Sequence, residues 1–171
     1  LFGATQLWLN RRQALYFAMK SDLLQQFQAP ALQRGLTRNP DFLSKPVHQD
    51  AAIIFIDLSG FTGLSEALDG DVMRRMLKEF HSLVDREVES RGGLIVSFMG
   101  DGAMILFGLP ESTANDAANA ALCCVDLCNR VEQWIRSLPP QIAARTGFKI
   151  GAHFGPIVAS RLGGGSHQHI T

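Results

Sequence analysis

Net charge is missing from this 171-residue sequence: 16 lysines and arginines stand against 16 aspartates and glutamates. That balance excludes the global electrostatic footprint of a nucleic-acid or anionic-membrane binder, so any phosphate recognition must be local. Cysteine is scarce as well. Its three copies, Cys123, Cys124 and Cys128, lie within six positions of one another, a spacing that offers neither a disulfide framework nor the paired C-x-x-C of a zinc site. They read as small, partly buried helix residues in a reducing compartment. No apolar run spans a bilayer, and the opening LFGATQLWLNRR lacks the basic start and cleavage site of a signal peptide. The sequence starts at Leu1 without an initiator methionine and reads as a fragment. Its apolar, Trp-containing opening, stopped by Arg11-Arg12, could be the cytoplasmic exit of a membrane helix.

What is present divides the chain in two. From about Gln6 to Gln28, Leu9, Tyr16, Met19, Leu23 and Phe27 fall on one flank at 3.6 residues per turn, and Pro30 ends that helix. Residues 33–49, with Gly35, Asn39, Pro40 and Pro46, form a connector. The boundary is placed between 1–46, a signalling helix with its connector, and 47–171, the main domain. Ala51 to Ile56 is a continuous apolar run, the pattern of a strand buried on both faces. Asp71 to Arg91 is an amphipathic helix with Met73, Leu77, Phe80, Val84 and Val88 inward, stopped by Gly92-Gly93. Leu94–Phe98 and Ala103–Phe107 are strands joined by Met99-Gly-Asp-Gly102, a hairpin whose Asp-Gly pair is expected to supply the positive-φ residues. Ser112 to Leu138 is a long helix that Pro139-Pro140 ends, and Phe148 to Phe154 a strand that Gly155-Pro156 closes. A glycine run, Gly163 to Gly165, leads to one more strand start at Gln168 to Thr171. The order strand, helix, strand, strand, helix, strand predicts an α+β, ferredoxin-like (split βαβ) sheet with its helices packed on one face.

Two carboxylates occupy analogous places, Asp57 at the end of the first strand and Asp101 at the hairpin tip. Taken singly, Asp57 caps the next helix and Asp101 is a turn residue. Taken together in one sheet they converge, and two desolvated carboxylates repel unless a cation lies between them. Oxygen ligands without nearby His or Cys suit Mg²⁺ or Mn²⁺. The following Leu58-Ser-Gly-Phe-Thr62 turns into a helix, and its backbone N–H groups can hold an anion without a lysine.

Three separated runs, Ile53–Glu66 (IIFIDLSGFTGLSE), Gly92–Gly108 (GGLIVSFMGDGAMILFG) and Ile150–Pro156 (IGAHFGP), closely resemble the catalytic domain of class III nucleotide cyclases, the adenylyl and guanylyl cyclases, over about Val47 to Thr171. The resemblance implies cyclisation of a nucleoside triphosphate to a 3′,5′-cyclic nucleotide and pyrophosphate. It implies two Mg²⁺ or Mn²⁺ ions held by Asp57, Asp101 and the Leu58 carbonyl. Ser59, Gly60, Phe61 and Thr62 would bind the phosphates. It further implies a head-to-tail homodimer, with the N-terminal helix relaying a signal from an upstream sensor or membrane domain. The domain is then cytoplasmic, on the inner side of the membrane where its parent is anchored there.

Two departures qualify the activity. Ser97 stands four residues before Asp101, where adenylyl cyclases carry lysine and guanylyl cyclases glutamate, so base choice loses an obligate donor or acceptor. Thr171 aligns with the partner selecting position and favours ATP over GTP. The family's later asparagine, arginine and lysine have no counterpart before Thr171, so these residues alone are expected to turn over negligibly. The alternative is a catalytically silent, cyclase-like module for dimerisation or regulation. A diguanylate-type transferase fits less well, because no GG(D/E)EF run is present. Of the histidines, His153 reads as packed in a core strand, His81 as partly exposed on its helix, and His167 and His169 as a solvated strand edge. Arg74, Arg75 and Lys78 form a solvated helix face.

Overall fold

The computed structural model describes residues 41, 45–162 and 169–170. The helix expected over Gln6–Gln28, the glycine run at 163–165, His167 and Thr171 lie outside the described residues. Elements follow in the order β1 (Val47–Ser59), α1 (Phe61–Ala67), α2 (Gly70–Ser90), β2 (Leu94–Phe98), β3 (Gly102–Phe107), α3 (Asp116–Ser137), α4 (Pro140–Ala143), β4 (Gly147–Ala159), β5 (Arg161–Leu162) and β6 (His169–Ile170). Four strands form an antiparallel sheet in the order β2-β3-β1-β4, and β5 pairs with β6. In this arrangement β3 lies between β1 and β2, and β1 between β3 and β4, which is the expected split βαβ layer.

One face of the sheet holds the main core. Ile54, Ile56 and Leu58 of β1, Ile105 and Phe107 of β3 and Ile95 of β2 pack there against Met73, Leu77, Phe80, Val84 and Val88 of α2 and Cys123, Leu127 and Val131 of α3. The five apolar residues expected on the inner face of α2 are all buried. The helix starts with Asp69 accepting a bond from the Asp71 amide at 2.8 Å. It stops where Gly92, at φ 76, sends its amide to the Glu89 carbonyl while the Gly93 amide reaches that of Val88, the paired closure that a left-handed glycine permits.

The opposite face is only partly covered, and here the structure corrects the expectation of a strand buried on both sides. Ala51, Val96, Leu106, Leu109 and Ala159 form a smaller cluster, but Phe55 is 48% exposed. Several boundaries also move. The first strand runs on through Asp57 and Leu58 to Ser59, so that Gly60 alone makes the turn. The fourth strand does not close at Gly155-Pro156: it continues to Ala159, with Pro156 opposite Asp50. In the sheet of described strands β4 is an edge, and an edge tolerates a residue that cannot donate. Helix α3 begins four residues later than the Ser112 start expected from pattern. There the buried Asp116 carboxylate accepts from the Thr113 amide and hydroxyl. All three cysteines lie on α3 as free thiols, and burial raises Cys123 to about 12.

Candidate functional site

The pairing of β1 with β3 brings the backbones of Asp57 and Asp101 side by side. Asp57 lies directly opposite Gly102, and the Leu58 amide donates to the Asp101 carbonyl at 3.0 Å. Gly102 makes the close approach possible: a Cβ there would come within 2.8 Å of Asp57 Oδ1 and 3.0 Å of the Ile56 carbonyl oxygen. The Asp57 carboxylate therefore leans over the first residue of β3, which follows Asp101 in the chain.

The turn is built differently from expectation. Its left-handed residue is Gly100, at φ 72, whereas Gly102 is already in the ladder and the Met99 amide closes the turn on the Gly102 carbonyl at 2.8 Å. The carboxylates also differ from expectation in solvation. Asp57 is exposed and Asp101 half-buried; among the described residues the helices pack on the face of the sheet opposite Asp57. Desolvation therefore does not compel a cation here. The fit rests instead on the donors, two aspartates on neighbouring stretches of backbone, Asp57 exposed and Asp101 half-buried. Among the described residues no group of three or more His, Cys, Asp and Glu side chains converges. A divalent ion would thus take its remaining ligands from water, backbone carbonyls and substrate phosphate, as Mg²⁺ usually does.

The turn after β1 is fixed from beneath. Gly60 has φ 83, and a Cβ on it would stand 1.9 Å from the Arg145 carbonyl oxygen. Arg145 Nη2 donates to the Gly63 carbonyl at 3.2 Å, and Ser59 Oγ lies where a Cβ on Gly147 would approach to 2.7 Å. Phe61 is buried as the first residue of α1, which anchors the turn in the core. The Leu64 amide bonds back to Gly60, so the amides of Phe61, Thr62 and Gly63 belong to the open first turn of the helix.

Ser97 lies on the same face as Asp57. It pairs with Met104, which pairs with Phe55, one side-chain rung from the Asp57–Gly102 pair. A bulge between Ile95 and Ser97 sets this facing. Thr171, its expected partner, is outside the described residues.

Sequence reasoning missed two residues here. Lys149 is opposite Asp57 across the β1–β4 ladder, where directly paired side chains stand about 5 Å apart at Cβ. Its signal is long-range register, which no local pattern carries. His81 is the other. It is 2% exposed rather than partly exposed, its Nε2 lies 2.8 Å from the Gly100 carbonyl oxygen, and burial lowers its pKa to about 4. A signal was present, since Leu77, His81, Val84 and Val88 follow one helical stripe. His153 is corrected in the opposite sense. It is exposed on β4, opposite Ile53 on the partly open face. Arg74, Arg75 and Lys78 are exposed as expected.

Residues 43–169 match the family described as the adenylate and guanylate cyclase catalytic domain. Retinal guanylyl cyclase 1 of Rattus norvegicus is 27% identical over 136 residues, which are 79% of this chain and 12% of that protein. The chain thus spans only a small part of such curated relatives. Among solved structures, the guanylyl cyclase Cya2 superposes with a TM-score of 0.63 at 27% identity, covering 73% of this chain and 64% of that one. The adenylyl cyclase CyaB of P. aeruginosa gives a TM-score of 0.65 at 22% identity, covering 74% and 66%, a likeness of fold.

Proposed function

Because the chain belongs to the adenylyl and guanylyl cyclase catalytic-domain family, we propose that it serves in signal transduction by converting a nucleoside triphosphate, ATP ahead of GTP, to a 3′,5′-cyclic nucleotide and pyrophosphate. The observation that supports this reading is the close approach of the Asp57 side chain to Gly102, with the backbone bond from Leu58 to Asp101, at one end of the two central strands.

Asp57 and Asp101, with the Leu58 carbonyl, would hold two Mg²⁺ or Mn²⁺ ions. When bound, such ions supply Lewis-acid activation of the ribose hydroxyl and neutralise the departing pyrophosphate. The protein's own groups do the rest. The Ser59–Thr62 turn directs amides at the terminal phosphates, and Lys149, across from Asp57, adds a cation there. Ser97 and Thr171 would select the base. A serine hydroxyl both donates and accepts, so it tolerates either purine, and the preference for ATP rests on Thr171.

The partner is a second copy of the chain, arranged head to tail, with residues 1–46 as the helix and connector that relay a signal to the domain from 47 onward. This reading puts the domain in the cytoplasm, on the inner side of a membrane where the parent is anchored, and the three unpaired thiols of α3 are compatible with it. No helix among the described residues is long and apolar enough to cross one.

Exposure of Asp57 favours a second reading. A solvated carboxylate costs little to keep, so a catalytically silent dimerisation or regulatory module could retain it. The two readings part in one experiment: cyclic AMP and cyclic GMP formation with Mg²⁺ and with Mn²⁺, measured on these 171 residues and on a version continued past Thr171 to the length of matched cyclase domains. Product is expected from the longer version and negligible product from the shorter. Asp57→Ala and Asp101→Ala should each lower the longer version's rate by about a hundredfold or more. Unchanged activity in either would sink the metal assignment, and no product from any version would favour the silent module.

A further inference from the structure

His81 has no role in the reading above, yet it ties the helix layer to the Asp101 hairpin. Three successive carbonyls of that hairpin each accept a hydrogen bond from a different part of the chain. Gly102 takes one from Met99 of the turn, Asp101 one from Leu58 of β1, and Gly100 one from His81 of α2. The first two belong to the sheet. The third is a side-chain tether from the helix layer, and it lands on the residue before Asp101, at the left-handed position of the turn.

The chemistry of the tether is defined. A carbonyl oxygen only accepts, so His81 carries its proton on Nε2 and donates it to Gly100. The ring packs against two phenylalanines, its centroid 4.1 Å from that of Phe98 at a tilt of 31° and 5.9 Å from that of Phe80 at 50°. It is 2% exposed. A buried polar ring costs stability unless it is hydrogen-bonded, and packing alone would be served by phenylalanine or leucine at this place on the α2 stripe. The imidazole adds a directed bond to the hairpin.

We propose that His81 is a positioning residue for Asp101: by donating Nε2–H to the Gly100 carbonyl, it fixes the hairpin tip and with it the geometry in which a divalent metal–nucleotide is held. This rests on the assignment of Asp57 and Asp101 as metal ligands. Groups that orient a ligand through one hydrogen bond typically change metal affinity by about 10–100-fold when removed.

The test measures binding rather than turnover. Mn²⁺ with 3′-deoxy-ATP, whose missing hydroxyl prevents cyclisation, is titrated against the full chain, with free Mn²⁺ followed by electron paramagnetic resonance. His81→Phe keeps the ring stack and loses the donor, and is expected to weaken binding about tenfold or more. His81→Gln places an amide N–H near the Nε2 position and should bind within about threefold of the parent. Val131→Ala, a core truncation in α3, which makes none of the three hairpin bonds, should lower the unfolding midpoint and leave affinity unchanged, which separates positioning from general destabilisation. Parent-like binding by His81→Phe, with binding lost in Asp101→Asn, overturns the proposal while the metal assignment stands. Failure of glutamine to restore affinity overturns it too. Absence of binding by the parent chain withdraws assignment and proposal together. If the Phe variant does not fold, ¹⁵N spectra of the unmodified protein decide. The Nε2–H tautomer, with a His81 resonance that shifts when Mg²⁺ and 3′-deoxy-ATP are added, is expected. An Nδ1–H tautomer, or a resonance indifferent to both, overturns the proposal.

Discussion

The two faces of the sheet are made from alternate residues of the same strands, and they have been put to different uses. On the helix side, Ile54 and Ile56 of β1 stand beside Ile105 and Phe107 of β3 under α2 and α3. On the other side the same two strands present Phe55, Asp57, Met104 and Gly102, with Ser97 and Lys149 from their neighbours. The first set is close-packed and the second open to solvent around Asp57 and Lys149. Displacing a strand by one residue would exchange the sets wholesale. Register, more than the identity of any one residue, therefore keeps the carboxylates out of the core.

Truncation under the helices should break the comparison most visibly. Phe107→Ala removes a ring that is 1% exposed and packed over Gly93, and it is expected to cost about 3–5 kcal/mol in urea unfolding. A cost near that of an exposed site would erase the distinction between the faces. Acid provides the next largest effect. Burial depresses His81 from the ordinary imidazole value of 6.5 to about 4, so between these pH values the unfolded chain binds a proton that the folded one refuses. Stability is complete above 6.5 and falls as pH drops toward 4, by about 3 kcal/mol for a shift of this size. The variant His81→Gln cannot titrate there and should lack that part of the loss; parallel urea-midpoint curves for the two proteins between pH 7 and 4 would contradict the buried neutral imidazole. The smallest effect belongs to the open face. Phe55→Ser should change monomer stability by no more than about 1 kcal/mol. It should weaken self-association in sedimentation if this face meets a second copy, and a loss comparable to that of Phe107→Ala would mean that the face is core.

Much of this was legible in the residues, and the illegible part has a physical pattern. Helix α2 declared itself through its 3.6-residue stripe and its paired glycines, and β2 through its β-branched run between Gly93 and the hairpin. The placement of Asp57 and Asp101 on neighbouring parts of one sheet was readable, although β1 runs two residues past Asp57. The solvation of Asp57 could not, because Ala-Ala-Ile-Ile-Phe-Ile is apolar at every position and hides which alternate residues lack a cover. Pro156 read as a stop because its tolerance depends on β4 lying at the edge of the sheet of described strands, a property of topology. His81 was misjudged because a polar residue on an apolar stripe reads as surface until its acceptor, nineteen residues away in sequence, is seen.

The length of β1 has a consequence for how the protein is made. Along its thirteen residues it pairs with β4 from Val47–Ala159 to Ser59–Gly147, so the central strand's second partner is synthesised about a hundred residues after it. At ribosomal speeds of about 5–20 residues per second, that edge of β1 waits roughly 5–20 s. During this interval the β2–β3 hairpin, with Asp101 at its tip, can already dock on the other edge. The nascent domain therefore acquires its carboxylate pair first and Lys149 last, and a chaperone able to cover one free strand edge would matter most in that window.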